Sequence, residues 1–169
     1  MNIESGDLIL FRVTQSANWF DRLIAYGQRL IHEAPTSADY CHVAIAAENP
    51  YEIYEARWPK IHKCPFEIAK VSRGLVVEVY RVKGKTTEQV AKVMDYCRSQ
   101  LGEWYPVSAI LSFGRFQFGK GPYCSQLAWR AWQQADVLLF PYEAMQPPDA
   151  IPASDKVDRI MPEWSSAGV

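Results

Sequence analysis

The chain lacks a long apolar run, a strong net charge and a leader-like N-terminus, and each absence excludes a class of protein. No apolar stretch in its 169 residues approaches the about 20 residues that a membrane-spanning helix needs. The net charge is −1 and acids and bases are interspersed, so nucleic acid is not an expected partner. Residues 1–7 have neither the basic nor the apolar region of a signal peptide, which predicts a cytoplasmic location.

The sequence also lacks CxxC pairs. The four cysteines are Cys41, Cys64, Cys97 and Cys124. Without a secretion signal, free thiols are expected rather than a disulfide framework. Zinc sites usually combine such residues in short-spaced pairs, and His32, His42 and His62 do not join the cysteines in that way. On this spacing we expect no structural metal site.

The composition predicts one globular domain over residues 1–169. Hydrophobic residues make up 49% of the chain and charged residues 22%, which is typical of a folded protein with a core. A chain of this length can bury one core of ordinary size. The sequence does not indicate an oligomeric state.

Apolar runs bounded by turn residues predict four strands. They cover residues 8–13, 42–47, 51–56 and 75–82. Asn49-Pro50 is a turn signal between the second and third strands, so these two are expected to form a hairpin. The stretch 57–73 resembles a loop or a poorly defined segment.

Three segments show helical periodicity. An amphipathic pattern runs from Asn18 to Glu33 and another follows a capping box at Thr86 and Gln89. The third helix begins at Cys124 and runs to about Asp136. The proline-rich tail after Pro141 is expected to lie over the surface as extended chain. Together these elements predict an α+β fold.

Cys124 is the first candidate for chemistry. It follows a Gly-Pro break at the start of a helix, where unpaired N–H groups and the helix dipole favour a thiolate. A thiolate nucleophile needs a base, and His42 begins a strand with an imidazole suited to proton exchange near neutral pH. If the hairpin forms, Glu55 comes near His42 and could hold its tautomer, with Glu52 as the alternative.

Each candidate also has a structural interpretation. Cys124 could be a small buried hydrophobic residue, His42 a structural histidine and Glu55 an exposed strand carboxylate. Cys41 adjoins His42 but would face the other way in a regular strand. Two further thiols show no catalytic context: Cys97 lies on the apolar face of its helix, and Cys64 has only a basic neighbour.

Two other groups of residues are open to more than one interpretation. Asp7 follows a glycine and is expected to serve as a turn or capping residue rather than an acid–base group. Trp104, Tyr105 and Tyr123 could line a substrate groove or simply pack in the core.

The order of four motifs along the chain resembles a known family. They are Gly6-Asp7-Leu8-Ile9, Tyr40-Cys41-His42-Val43-Ala44-Ile45, Tyr54-Glu55-Ala56 and Tyr123-Cys124-Ser125-Gln126-Leu127. This succession is similar to the permuted branch of the NlpC/P60 superfamily, the YiiX/YaeF-like papain-like cysteine hydrolases. The resemblance implies a circularly permuted papain-like fold, in which a central antiparallel sheet or small barrel packs against helices.

The resemblance also implies a function. The resemblance implies that Cys124 is the nucleophile, His42 the base and Glu55 the orienting residue. It also implies that the Cys124 backbone N–H belongs to the oxyanion hole. The expected reaction is amide or ester cleavage through an acyl-enzyme, without cofactor or metal. The substrate stays open between a small peptide, a peptidoglycan fragment and an acyl-lipid. A lipid acyltransferase, a phage-encoded enzyme, a non-catalytic binding module and a phage structural component are the alternatives.

Overall fold

The computed structural model of the chain describes residues 3–12, 40–66, 76–106, 121–141 and 148–164. Six strands lie in these ranges: β1 (Leu8–Arg12), β2 (Tyr40–Ala46), β3 (Glu52–Ala56), β4 (Ile61–Pro65), β5 (Val76–Val82) and β6 (Val157–Trp164). They are accompanied by α1 (Thr87–Ser99), α2 (Cys124–Gln133) and a 3₁₀ helix (Pro148–Ala150). The predicted helix at 18–33 lies outside the described residues.

The strands form one antiparallel sheet in the order β4-β3-β2-β1-β5-β6. The fold is therefore α+β, as predicted. The hairpin prediction is also confirmed, because β2 pairs with β3 through Ile45 opposite Tyr54 and Ala46 opposite Ile53. This register is what brings the far end of β3 alongside the start of β2.

Two parts of the sequence prediction are wrong. Within 57–73, where a loop was expected, β4 pairs with β3 along its whole length. The tail is extended at β6, as predicted, but there it pairs with β5 and forms the opposite edge of the sheet instead of only covering the surface. Both are edge strands, which need only one apolar face and one pairing partner and so lack a continuous apolar run. Edge strands also tolerate proline, which is present in both.

The two faces of the sheet carry separate apolar clusters. The helix-side cluster joins sheet residues such as Leu8, Leu10, Val43 and Ile45 to α1 and α2. The far-side cluster contains the alternate residues of the same strands: Ile9, Phe11, Cys41, Ala44, Ala46, Ile53, Val77 and Val79, with Ile3 and Phe66. Strand alternation thus decides which side chains meet the helices and which do not.

Local signals in the sequence explain how both helices begin. The capping box at α1 is present, since the Gln89 N–H donates to Thr86 Oγ1 and the Thr86 N–H donates to Gln89 Oε1. As predicted, α2 begins at Cys124, but it ends at Gln133 because Asp136 adopts a left-handed φ of 60°. The apolar residues of α2 and the turn after it are buried: Leu127, Ala128, Ala131, Trp132 and Ala135.

Asp7 is the centre of a buried ion-pair network. Its carboxylate accepts hydrogen bonds from the Glu4 N–H at 2.8 Å, from Arg81 Nη2 at 2.8 Å and from Lys85 Nζ at 2.9 Å. The bond to Glu4 closes the turn before β1, while the two cations belong to β5 and the chain that follows it. The expected turn role of Asp7 is therefore observed, with a second role in holding the sheet to the start of α1.

We predict that Asp7→Ala lowers the free energy of unfolding by about 3 kcal/mol, because breaking a buried ion pair leaves charge without its partner in a dry site. Denaturant titration measures this loss. Asp158→Ala is the matched control: its carboxylate is 68% exposed and lies 3.4 Å from Lys83, so removing it should cost less than about 1 kcal/mol. Equal losses in the two variants would contradict the assigned role of Asp7.

A second stability prediction concerns Gly6, which has a φ of +83° and lies against Trp132. A Cβ at Gly6 would lie 3.1 Å from Trp132 Cζ2, whereas a Cβ at Gly84, with a φ of +62°, meets nothing within 4 Å. Both Gly→Ala variants should lose about 1 kcal/mol to left-handed strain. Gly6→Ala should lose a further ~1 kcal/mol or more through overpacking. Thermal unfolding of the two variants compares these costs directly.

Candidate functional site

His42 lies where β2 departs from regular pairing with β1. Phe11 pairs with His42 and Arg12 with Tyr40, so Cys41 is the extra residue of a β-bulge. The Cys41 thiol donates to the Phe11 carbonyl at 3.4 Å, and the His42 ring packs 5.5 Å from the Phe11 ring. The prediction that Cys41 faces away from His42 is therefore wrong here, because it assumed a regular strand.

The hairpin brings His42 and Glu55 into direct contact. His42 Nε2 lies 2.9 Å from Glu55 Oε2, and the two residues are only 6% and 1% exposed. A hydrogen bond between these groups in a dry site is strong, because one partner is a carboxylate. Glu52, the alternative, instead forms an ion pair with Lys63 at 2.8 Å. The expected proximity of Glu55 to His42 is thus observed.

The second carboxylate oxygen of Glu55 contacts His62 and Cys64, two residues to which the sequence assigned no functional role. His62 Nε2 lies 3.0 Å from Glu55 Oε1, and Cys64 Sγ donates to the same oxygen at 3.5 Å. His62 pairs directly with Glu55 across the β3–β4 ladder. His62 and Cys64 are two residues apart on β4, so their side chains share one face. The spacing of His62 and Cys64 in the sequence would have indicated that they share a face only if β4 had been predicted as a strand.

The neighbours of His62 favour its charged form. Hydrogen bonding to Cys64 and then to Glu55 raises the pKa of His62 to about 10, while partial burial opposes the shift. Its Nδ1 lies 2.9 Å from the Lys60 carbonyl oxygen, which fixes the ring and leaves Nε2 directed at the carboxylate. The His62 side chain is 40% exposed, so this side of the cluster is open to solvent.

Cys124 is the first residue of α2 and is 7% exposed. The preceding residue, Tyr123, supplies no side-chain cap, so the first turn keeps backbone donors that no N-cap side chain takes up. The chain leading to this turn is fixed at one end of the sheet. Gly121 packs so closely on the Trp104 carbonyl that a Cβ there would lie 2.5 Å from the oxygen, and Trp104 bridges to Lys60 beside the start of β4.

The predicted site residues therefore lie at the same end of the sheet but on two layers. Cys124 belongs to the helix-side cluster. His42 packs on Phe11 of the far-side cluster, and alternation along β3 places Glu55 on that side as well. The structure brings His42, Glu55, His62 and Cys64 into one polar cluster and places the start of α2 beside the end of the sheet that carries it.

The other candidates are distributed between core and surface. Cys97 is fully buried in the helix-side cluster, as predicted, and burial raises the pKa of its thiol. Tyr105 and Tyr123 are also buried, which favours their core interpretation. Trp104 is 60% exposed, with Lys60 Nζ 4.7 Å above its ring, and stays available to a ligand.

Within the part of the chain that the structure describes, neither helix has the length and apolar character required to cross a membrane.

The polar cluster around Glu55 lies at a water-accessible edge of the sheet, since the His62 side chain is exposed there while Glu55 is buried beneath it.

No protein-family model matches the chain, and no curated protein matches it significantly. Among solved structures it is similar to the crystal structure of the metalloprotein YiiX from Escherichia coli O157:H7 (DUF1105), with a TM-score of 0.69. The match has 19% sequence identity and covers 97% of this chain and 99% of that chain. At this identity the similarity shows the fold, so the chain has the YiiX fold, as its motifs led us to expect.

Proposed function

We propose that the protein is a cysteine hydrolase that cleaves an amide or ester bond with Cys124, His42 and Glu55. The observation that carries the proposal is the buried 2.9 Å contact between His42 Nε2 and Glu55 Oε2. A histidine held by a carboxylate is the base and orienting pair of a nucleophilic triad. The fold similarity to YiiX supports the same interpretation at the level of architecture.

In this mechanism Glu55 accepts the Nε2–H of His42 and fixes the tautomer that leaves Nδ1 as the base. Nδ1 takes the proton of the Cys124 thiol, and the sulfur attacks the substrate carbonyl. The helix start stabilises the thiolate, and the Cys124 backbone N–H donates to the developing oxyanion. His42 then protonates the leaving amine or alcohol. Water, deprotonated by the same nitrogen, hydrolyses the resulting thioester.

The mechanism requires the thiol and the imidazole to come within hydrogen-bond reach, about 3 Å, when substrate is bound. Catalytic hydrogen bonds often tighten only in the substrate complex.

The proposal includes the circularly permuted papain-like arrangement, in which the histidine precedes the cysteine along the chain. It also includes the substrate class, which is a peptide amide, such as that of a peptidoglycan stem peptide, or a lipid acyl ester. The exposed Trp104 ring near the start of α2 offers an apolar surface to either substrate.

We predict that Cys124→Ala lowers hydrolysis of acyl donors by at least about 1,000-fold while the protein stays folded, because the attacking atom is removed. The assay compares turnover of amide, ester and thioester donors. Cys41→Ala is the matched control, since it removes another buried thiol, adjacent to His42, and should retain turnover.

Mass spectrometry of the acylated protein gives the second measurement. An adduct on Cys124 that is absent from Cys124→Ala supports the proposal, and the acyl mass distinguishes peptide from lipid donors. Full turnover by Cys124→Ala would overturn the nucleophile assignment, and loss of turnover in Cys64→Ala alone would transfer it to Cys64. No turnover of any donor, together with a Cys124 thiol that is unreactive towards alkylation, would favour a non-catalytic binding module.

A further inference from the structure

The β3–β4 hairpin carries three metal-binding side chains in one cluster. They are Glu55, His62 and Cys64, and their candidate ligand atoms all lie within 4.8 Å of one another. Glu55 comes from β3, while the other two come from alternate positions on β4. The pleat and the antiparallel register, rather than sequence proximity alone, direct all three to the same point.

We propose that Glu55, His62 and Cys64 bind a single divalent transition-metal ion of the Zn²⁺ type. The proposal rests on these three side chains and their supporting contacts, and it goes beyond the hydrolase function.

The spacing of the donors suits a tetrahedral ion. With metal–ligand bonds of about 2.0–2.3 Å, tetrahedral ligand atoms lie roughly 3.3–3.7 Å apart. Glu55 Oε1 lies 3.0 Å from His62 Nε2 and 3.5 Å from Cys64 Sγ. An ion can therefore enter through small side-chain adjustments, without rearrangement of the paired backbone.

The donor types select the metal. The ion replaces the protons of Cys64 and His62, which are released to solvent. The resulting thiolate and neutral imidazole favour Zn²⁺ and related transition metals, whereas Mg²⁺ and Ca²⁺ prefer oxygen ligands. Three protein ligands leave a fourth position for water or an exogenous ligand, as in catalytic zinc sites. The 40% exposure of the His62 side chain provides a path for the ion from solvent.

Two contacts outside the donor set hold the ligands in position. His62 Nδ1 donates to the Lys60 carbonyl at 2.9 Å, which directs Nε2 to the ion. On the other side, His42 Nε2 binds Glu55 Oε2 and leaves Oε1 for the metal. Partners of this kind fix the tautomer and orientation of ligands in established metal sites.

Titration of the metal-free protein with Co²⁺ tests the proposal. We expect one Co²⁺ per chain and a thiolate-to-cobalt charge-transfer band, which Zn²⁺ displaces. Cys64→Ser should lose the band. His62→Ala should weaken affinity by at least about 100-fold, which is the upper range for losing a mere outer-shell partner. Cys41→Ser and Cys124→Ser are the matched controls and should keep both the band and the affinity.

Circular dichroism of each variant checks that it is folded, and the exposed position of His62 makes His62→Ala the safer test if Cys64→Ser is unstable. Absence of a charge-transfer band in the wild type, or a band that survives in Cys64→Ser, overturns the proposal. The hydrolase proposal fails separately: Cys124→Ser should lose turnover yet keep the cobalt band.

Discussion

The buried carboxylate of Glu55 is the constraint around which the polar part of this structure is organised. It is 1% exposed, and an isolated charge in such a place would cost several kcal/mol. The structure meets that cost by using both oxygens, one with His42 and one with His62 and Cys64. Each of these partners lies at a different position on β2 or β4. The contacts that stabilise the buried carboxylate therefore depend on the register of these strands with β3.

Strand alternation places the larger apolar core on one face of the sheet and the polar cluster around Glu55 on the other. Along β2 and β3, residues such as Val43 and Tyr54 face the helices and build the larger core, while the intervening residues face the opposite side. A one-residue slip between β2 and β3 would exchange these roles and bury the carboxylate against α2. The β-bulge at Cys41 interrupts the regular pairing of β1 with β2 next to His42.

The sequence predicted those features that depend on local signals. The Gly-Pro break located the start of α2 at Cys124, and the Asn49-Pro50 turn was sufficient to bring Glu55 beside His42. The features that depend on a pairing partner were not predictable in this way. Strand β4 has too few apolar residues to be recognised alone, so its His62 and Cys64 remained unassigned.

The orientation of Cys41 is another feature that depends on a pairing partner and could not be predicted from the sequence. Alternation predicts side-chain direction only while the pairing is regular, and the bulge is a property of two strands rather than of one sequence. The layer on which Cys124 lies likewise follows from how α2 docks on the sheet, which no feature of the helix sequence determines.

Three buried carboxylates in the described residues differ in the partners that hold them. Asp7 is held by Arg81 and Lys85, and Glu78 by Arg159 together with the Tyr40 and Tyr80 hydroxyls. Arginine, lysine and tyrosine keep their protons at neutral pH, and burial, together with the hydrogen bond to Glu78, raises the pKa of Tyr40 further.

The partners of Glu55 differ in kind, since imidazole and thiol groups can serve as bases, nucleophiles or metal ligands. A carboxylate whose partners are Arg, Lys and Tyr side chains has a structural role, whereas one whose partners are imidazole and thiol groups is also suited to catalysis or metal binding. Asp7 and Glu78 therefore stabilise the sheet, whereas the partners of Glu55 suit it to the proposed hydrolase and metal sites.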